Sequence, residues 1–522
     1  MKQKHNITAI VALTVTLLTT AIQAAGSGAG AVRLGYTYLD EDGSRAVNQE
    51  THNSYEGLGV SLNQWHYNWD SGMRLKADLN NVTLNNRNLR FSIGKPGSFG
   101  LSVTNSQYRR IYSDSGNDYT RRRATNVQAN YQPTQHVKLN AGYGRMDKHG
   151  KDFFVLPAIS DTVSRSTDWS QNTYNLGAQF GDGIRLFRAD YRRFDFTDNT
   201  PLAANRTADL INLQASSALP RYDWAVVSGG LNYRKDKAAK TETELKTSQY
   251  WTGAKLNFTS TLYTDYRLIY AINDRSTPAR TIDNYSNSIV LGKSWSLWGG
   301  ARVGYENRVG DDFVSRTKSD GLLVSAWLKP AEKWYFNCGV STHKSDVTDG
   351  VTLLGDENRT NHTIVAKFIE PQWGDISARW DGRIRKNDDL TSKVDYDILS
   401  GEVNLSRPKL GRLTVSYSHY TGSYTNQSDV TSYEFVEHLL TGHAYPVAYK
   451  NFTVDGGGTY YRSQRDQDVE KFSLDLGVSY QFPRSYRVEV RYNVFNFDDF
   501  LFLDKYYTAN IVEVSLIKDV QF

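Results

Sequence analysis

One stretch near the end of the chain, EKFSLDLGVSYQFPRSYRVEVRYNVFNF from Glu470, alternates apolar and polar residues almost without interruption. A period of two residues is that of a β-strand whose two faces differ. The FPRS between the two halves predicts a tight turn, so the stretch is expected to form a hairpin. Its polar face carries Asp, Arg and Glu side chains, which cannot line a dry protein core. The apolar face therefore either packs inward or meets lipid.

The N-terminus has the pattern of an export signal. Lys2 and Lys4 precede a short apolar run that ends in small residues up to Ala24. This predicts a secretory signal peptide over residues 1–24 rather than a transmembrane anchor. Residues 25–522, which are predicted to form one domain, contain no further run of the ~20 apolar residues that a membrane helix needs. An exported chain can still cross a membrane as a closed barrel, because closure pairs every backbone donor and acceptor.

Short segments with turn chemistry recur along the chain at intervals of about 35 to 48 residues. They are KPGS, QPTQ, GDG, ALPR, TST, KSWS, KPAE, EPQWG, RPKLG and FPRS, with a weaker candidate near Leu440. A repeat of this length could indicate a solenoid or a propeller. Each interval, however, contains two long strands joined by a long polar segment, and not the four short strands of a propeller blade. Short turns at one end and long polar loops at the other are typical of a transmembrane barrel.

The sequence therefore predicts an all-β fold, a large antiparallel transmembrane barrel of about 26 strands, within a range of about 22 to 28. The short turns are expected to face the periplasm and the long loops the exterior. Aromatic residues make up 13% of the chain, with 34 Tyr, which suits aromatic girdles around such a barrel. The last residue, Phe522, ends an alternating segment. An aromatic C-terminus resembles the signal by which bacterial outer-membrane proteins are recognised for insertion, and we expect that localisation.

In a barrel of this kind the apolar face meets lipid and the polar face lines the lumen. The predicted lipid-facing residues of the last hairpins are Phe472, Leu474, Leu476, Val478, Tyr480, Val488 and Val490. The same parity rule predicts a set of charged residues on the lumen side: Arg188, Asp190, Arg192, Arg379, Asp381, Arg383, Asp475, Arg487, Glu489 and Arg491. Each of them could simply pair across strands and solvate the wall. Taken together they describe a wide polar tube that could enclose something.

Catalysis finds little support in the sequence. The 10 His residues are scattered, and neither H-E-x-x-H nor G-x-S-x-G occurs. The single Cys, Cys338, excludes C-x-x-C-H, so the chain cannot attach a c-type haem through that motif. The formal charge of +5 is too weak to indicate a nucleic-acid partner. We therefore predict no enzymatic activity and no catalytic, metal or cofactor-binding residue in this chain.

Several phrases together resemble the MtrB/PioB family of outer-membrane barrels. They include NNVTLNNRNLRFSIGKPGSFGLSVTNSQYRRIYSD, YQPTQHVKLNAGYGRMDKHGKDFF, FRADYRRFDFTDNTPLAANRT and LKPAEKWYFNCGVSTHKSD. Pro96 to Phe99 is similar to a family hairpin, Val137 to Tyr143 to a family strand, and Tyr191 to Pro201 loosely to a family corner. The N-terminal Cys-x-x-Cys that some family members carry is absent.

The resemblance implies a barrel of around 26 strands that sheathes a periplasmic multihaem c-type cytochrome and often docks a second one outside. In such a conduit haem follows haem across the membrane, and the partner carries the haem. Outer-membrane lipid and the barrel-insertion machinery would be the other partners. A second function remains open from the residues alone, that of a general or substrate-selective diffusion porin.

Overall fold

The computed structural model describes residues 26–156, 161–201, 204–219, 222–277, 279–295, 298–311, 315–350, 356–388, 391–407, 411–426 and 431–521. The predicted signal peptide, residues 1–24, and the predicted insertion signal at Phe522 lie outside these residues, so both stay predictions. In the described part of the chain, no helix is long and apolar enough to cross a membrane.

The described chain is almost entirely β-strand. Its 26 strands are β1 (Gly26–Gly43), β2 (Gly57–Trp69), β3 (Arg74–Asn80), β4 (Asn88–Lys95), β5 (Phe99–Ile111), β6 (Tyr119–Thr134), β7 (Val137–Leu156), β8 (Asp161–Gly181), β9 (Arg185–Asp198), β10 (Arg206–Leu219), β11 (Tyr222–Ala238), β12 (Thr243–Asn257), β13 (Leu262–Ser276), β14 (Ala279–Trp295), β15 (Gly299–Asp311), β16 (Ser315–Ala331), β17 (Trp334–Gly350), β18 (Glu357–Glu370), β19 (Gly374–Asn387), β20 (Ser392–Arg407), β21 (Gly411–Asn426), β22 (Thr431–Tyr449), β23 (Phe452–Arg465), β24 (Val469–Phe482), β25 (Tyr486–Asp499) and β26 (Tyr507–Gln521).

Each strand pairs antiparallel with the next one along the chain, and β26 pairs with β1. The sheet therefore closes on itself, and every strand has a partner on each side over at least part of its length, which is the arrangement that a strand-built protein needs in lipid. The predicted fold class, an all-β antiparallel barrel of about 26 strands, is confirmed.

The register keeps the alternation of the sequence aligned from strand to strand. In the last hairpins Leu476 lies opposite Tyr492, and Gly477 lies opposite Arg491. Because side chains alternate between the two faces of a sheet, apolar residues stand beside apolar residues and charges beside charges. The wall thus has one apolar and one polar face.

The ten turns with clear sequence signals all lie where one strand reverses into the next, and we call this end of the barrel the turn end. The weaker candidate near Leu440 is wrong, because Leu440 lies inside β22 and the chain reverses at Lys450 and Asn451. Lys450 has φ 55°, a value that favours glycine, so the residue type gives no sign of the turn. A further turn between β2 and β3, with Gly72 at φ 81°, was not predicted.

At the opposite end, the loop end, strands reach farther than the sequence predicts. The sequence predicts long polar loops at this end, yet β7 runs for 20 residues and β8 for 21, with only 157–160 between them. At ~3.3 Å per residue such strands exceed 60 Å, whereas about ten residues cross a bilayer. Apolar and polar residues do not alternate in DKHGKDFFVL of β7 or in DTVSRSTDW of β8, so the two-residue period is lost even though the backbone ladder continues.

One sector of the wall differs from the rest. β3 and β4 have 7 and 8 residues, while their neighbours β2 and β5 have 13 each. Near the loop end a gap therefore opens between β2 and β5. The connection from β1 to β2, residues 44–56, packs beside this gap, and we call it the gap segment.

The gap segment supplies hydrogen bonds to the exposed edge of β5. The Arg109 backbone N–H donates to Asn53 Oδ1 at 3.2 Å, and the Arg109 side chain donates to the carbonyls of His52 at 2.7 Å and Ser54 at 3.1 Å. The Arg109 guanidinium also lies 4.3 Å from the ring centre of Tyr55. An unpaired strand edge is thereby covered, as strand edges generally must be.

The other side of the gap segment packs against the first residues of β26. Thr51 donates to the Tyr507 hydroxyl at 2.8 Å, and Val47 contacts a buried cluster of Phe497, Tyr507 and Ala509. His52 is 1% exposed. These contacts resemble the core of a soluble protein more than the wall of a barrel.

Candidate functional site: the two faces of the wall

The apolar face is bounded by two rows of exposed aromatic side chains. The row at the turn end comprises Tyr131, Phe180, Trp295, Trp334, Phe452, Phe482 and Tyr486. The row toward the loop end comprises Tyr36, Tyr143, Tyr174, Tyr250, Tyr270, Tyr305, Tyr417, Tyr460 and Tyr492. On β23 and β25 the rows are eight and six residues apart, or about 20–26 Å along the strand. Because strands in such barrels tilt by about 40°, the two rows lie about 15–20 Å apart across the membrane, which is somewhat less than the apolar band, about 25 Å tall, of transmembrane barrels.

The residues that the sequence assigns to lipid lie within this band. Phe472, Leu474, Leu476, Val478 and Val490 are among the exposed large apolar side chains. Tyr480 and Val488 are half-buried, and the Tyr480 ring centre lies 4.7 Å from that of Phe452. The register places all seven on one face. Their contact with lipid stays a prediction.

The first predicted lumen group lies on β9. Arg188 Nε donates to Asp190 at 2.5 Å. Arg192, two residues further along, has no ion-pair partner among the described residues; its guanidinium lies 5.9 Å from the ring centre of Phe194. The predicted trio therefore shares a face as expected, but only two of its members pair.

The second predicted group lies on β19. Arg379 forms an ion pair with Asp381, which also accepts a hydrogen bond from Thr363 at 2.7 Å. Arg383 donates to Asn361 at 2.9 Å and lies 5.1 Å from the ring centre of Tyr396. These charges are satisfied by neighbours within the wall.

The third group, on β24 and β25, belongs to a larger network. Arg491 donates to Asp475 at 2.6 Å and to Asp455 of β23 at 2.9 Å. It reaches Asp455 across Gly477, where a Cβ would lie 2.7 Å from the Asp455 carboxylate and 2.9 Å from the Arg491 guanidinium. A glycine at position 477 therefore leaves room for the Arg491 guanidinium to reach the Asp455 carboxylate.

The network continues to the strands that close the barrel. Glu489 lies 3.4 Å from Arg33 of β1, and Arg33 contacts Glu513 of β26 at 2.9 Å. Arg487 has a buried Nε without a hydrogen-bond partner among the described residues. Sequence reasoning missed Arg33, Asp455 and Glu513. The alternation of Val32, Leu34 and Tyr36 with polar neighbours would have assigned Arg33 to the polar face.

A different group of charges lies on β3, β4 and β9. Arg74, Lys76, Arg90 and Arg192 all lie on the polar face and line two neighbouring concavities of about 670 and 580 Å³. In the part of the chain that the structure describes, none of the four forms an ion pair. We call these four residues the cationic patch.

The described residues contain no group of three or more His, Cys, Asp or Glu side chains that could hold a metal ion. The charged side chains of the polar face instead form pairs and networks along the wall. Such a surface can solvate a bore or contact a polar partner, and this is the chemistry that the arrangement offers.

No family model matches the chain, and no curated protein matches it in sequence. Among solved structures, the alcaligin outer-membrane receptor FauA from Bordetella pertussis is 12% identical with a TM-score of 0.50, covering 94% of this chain and 76% of that one. A variant of the ferric enterobactin receptor PfeA from Pseudomonas aeruginosa is 10% identical with a TM-score of 0.50, covering 95% of this chain and 82% of that one. Likeness at this level concerns the fold alone. The protein is a closed β-barrel of 26 antiparallel strands.

Proposed function

We propose that this barrel is a sheath that holds a multihaem c-type cytochrome in its lumen, so that electrons cross the outer membrane through the partner. The observation that carries the proposal is the strand number, because it sets the size of the bore. The family resemblance stated above supplies the nature of the occupant.

The bore follows from elementary geometry. Twenty-six strands spaced ~4.8 Å apart and tilted by about 40° give a circumference of about 160 Å and a backbone diameter of about 50 Å. Inward side chains reduce this to a bore of about 40 Å. A compact domain of 100 residues has a radius of gyration near 13 Å, hence a diameter of about 34 Å. The lumen is therefore wide enough for a small folded domain.

The lining suits such an occupant. Charges of both signs stand on the polar face, for example Arg379 beside Asp381 and Arg491 beside Asp475. A polar protein surface can lie against this lining without burying unpaired charge. The longest connection between described strands is the gap segment, 13 residues, which is too short to fill a bore of this width.

In this proposal the barrel performs no chemistry. It insulates the cofactor chain from lipid and fixes its depth in the membrane, so that successive haems lie close enough for electron transfer. With one Cys, this chain leaves haem attachment by C-x-x-C-H to the partner.

Purification in mild detergent tests the proposal. The native complex should stain for haem at the position of the barrel on a blue-native gel and show a c-type absorption spectrum. Cells with c-type cytochrome maturation blocked provide the control, in which the barrel should remain and the stain should disappear. A barrel that purifies without any haem-staining partner from cells expressing c-type cytochromes would contradict it.

The second candidate is a diffusion porin, favoured by the rule that barrels of about 16 strands or more leave an aqueous channel unless something fills them. Conductance in planar bilayers separates the two functions. The sheath predicts that the native complex is closed and that removal of its partner opens a wide pore. A steady, solute-selective pore in the native preparation, with no cytochrome, would favour the porin.

A further inference from the structure

A single register row crosses seven strands of the polar face. Lys76 lies opposite Ser92, Ser92 opposite Ser102, and Ser102 opposite Gln128. The row continues from Gln128 through Gly142 and Asn175 to Arg192. Cations thus stand at both ends, and hydroxyls and amides stand between them. At ~4.8 Å per strand the row spans about 29 Å.

The members of this row face a shared space. Lys76, Ser92, Ser102, Gln128, Asn175 and Arg192 all line the concavity of about 580 Å³. At Gly142 a Cβ would lie 2.3 Å from the Asn175 amide oxygen, so this side chain lies across the glycine. The row is therefore a continuous surface of donors along the wall.

The balance of charge in this sector is one-sided. Arg74, Lys76, Arg90 and Arg192 line the two concavities, while Asp78 is the one carboxylate among the lining residues, and it accepts from Asn80 at 3.1 Å. Elsewhere on the polar face several predicted cations pair with carboxylates, as Arg188 does with Asp190 and Arg379 with Asp381, while Arg383 donates to Asn361. Uncompensated like charges repel each other and require an anion or water nearby.

We propose that the cationic patch, with the donor row between its members, is the docking surface for an acidic face of the folded protein that the barrel encloses. This inference rests on the proposed function and names the side of the wall that the partner contacts. Lys and Arg donors among amides and hydroxyls recognise carboxylates by charge-assisted hydrogen bonds. The width of the row, about 29 Å, suits a protein surface rather than one small anion.

The experiment compares two triple variants with the wild-type complex. Arg74→Gln, Lys76→Gln and Arg192→Gln together remove three charges from the cationic patch. The matched control, Lys255→Gln, Arg267→Gln and Arg302→Gln, removes three cations from the polar face of β12, β13 and β15, at positions that the proposal does not use. Heat-modifiable migration on gels confirms that each barrel is folded. If a triple variant fails to fold, Lys76→Gln replaces the patch variant and Arg302→Gln replaces the control.

The measurement is the fraction of haem-staining partner retained on each immobilised barrel as salt concentration rises. We expect the patch variant to retain at least about ten-fold less partner than wild type near physiological ionic strength, with a weaker salt dependence, because screened charge pairs have been removed. The control should stay within about two-fold of wild type.

The outcomes separate the two claims. If wild type retains a haem-staining partner and the patch variant retains it equally well, the docking surface is overturned while the sheath stands. If wild type retains no such partner, the proposed function fails and the docking surface fails with it. In that case chloride-over-potassium permeability of the empty barrel, lowered by the patch variant alone, would identify a site for small anions instead.

Discussion

The gap between β2 and β5 and the hairpin of β24 and β25 are held together in different ways. In the hairpin, cross-strand pairs repeat in one register, and the large apolar side chains of the band stay exposed on the lipid side. Around the gap, Tyr507 and His52 are fully buried between segments far apart in the chain. The comparison teaches that a barrel wall needs no core as long as every strand has two full-length neighbours.

The cause of the difference is the short hairpin of β3 and β4. Beyond the pair of Asn88 with Ser106, the edge of β5 has no strand partner on that side. Tertiary packing must then replace the ladder, and the gap segment provides it. The two regions should therefore respond differently to substitutions, and the following predictions test this.

The largest effect is expected for Leu476→Arg in the hairpin. Leu476 lies in the apolar band, and an Arg at mid-bilayer costs about 2–4 kcal/mol in a transmembrane barrel. The matched control is Ser479→Arg, which places the same charge on the polar face opposite Glu489. Urea unfolding in lipid vesicles measures both. A larger loss of stability from Ser479→Arg would mean that the faces are assigned the wrong way round, and equal losses would mean that this hairpin lies outside the bilayer.

The faces of this hairpin could be predicted from sequence because one of them is wholly apolar. Prediction from alternation fails in the outer parts of β7 and β8, because the sequences DKHGKDFFVL and DTVSRSTDW do not alternate between apolar and polar residues. It also fails for the reversal at Lys450, since neither Pro nor Gly marks it. Local pattern thus predicts strands where lipid demands a contrast between faces, and nowhere else.

The gap segment could not be predicted for another reason. Its sequence, SRAVNQETHNSYE, is polar and resembles an ordinary loop. Its burial depends on partners that are remote in the chain, as in the hydrogen bond of Thr51 with Tyr507. The cationic patch poses the same problem, because Lys76 and Arg192 come to line one concavity only through the register of seven strands.

Arg109→Met tests how the gap is closed. The substitution removes two hydrogen bonds from a charged side chain to the carbonyls of His52 and Ser54. Such bonds contribute up to about 1.5–3 kcal/mol each, and less here because the Arg109 side chain is only partly buried. We expect the free energy of opening the gap segment to fall by about 2 kcal/mol, while the free energy of global unfolding changes little. Hydrogen exchange of amides 50–56 measures it. Arg110→Met, at an exposed neighbouring position, should leave this exchange unchanged; a similar loss from both would contradict the specific role of Arg109.

A smaller effect is expected for Arg491→Gln in the hairpin. Asp455 and Asp475 would lose their shared cation, but all three side chains are partly exposed, so a cost of about 1 kcal/mol is expected. A double-mutant cycle with Asp475→Asn isolates the pair. Coupling well above that cost would show that the polar face is drier than a hydrated lumen.

The smallest effect concerns the protonation of His52. Burial lowers the pKa of His52 below 6.5, opposed by its hydrogen bonds to the carbonyls of Ala46 and Arg45 and assisted by the positive charges of Arg110 and Arg109. The packed gap segment therefore favours the neutral ring. As pH falls below about 6.5, an opened segment binds the proton first, so packing weakens progressively until the pKa of the packed state is passed. Above about pH 6.5 the ring is neutral in both states, so His52 causes no change in the stability of the packed segment.

Hydrogen exchange of the gap segment between about pH 7.5 and 5, relative to His52→Gln, measures this dependence, because the intrinsic pH effect on exchange cancels in the comparison. Asp114, beside this segment, titrates in a separate range. Burial would raise its pKa, but hydrogen bonds from Lys505 and Ser44 lower it below 3.8, so its contribution is lost only in stronger acid. If exchange of the gap segment still accelerates between about pH 7.5 and 5 in His52→Gln, another titrating group is responsible. Its disappearance would show that the gap, unlike the ladder of β24 and β25, is held closed by a side chain that must stay neutral.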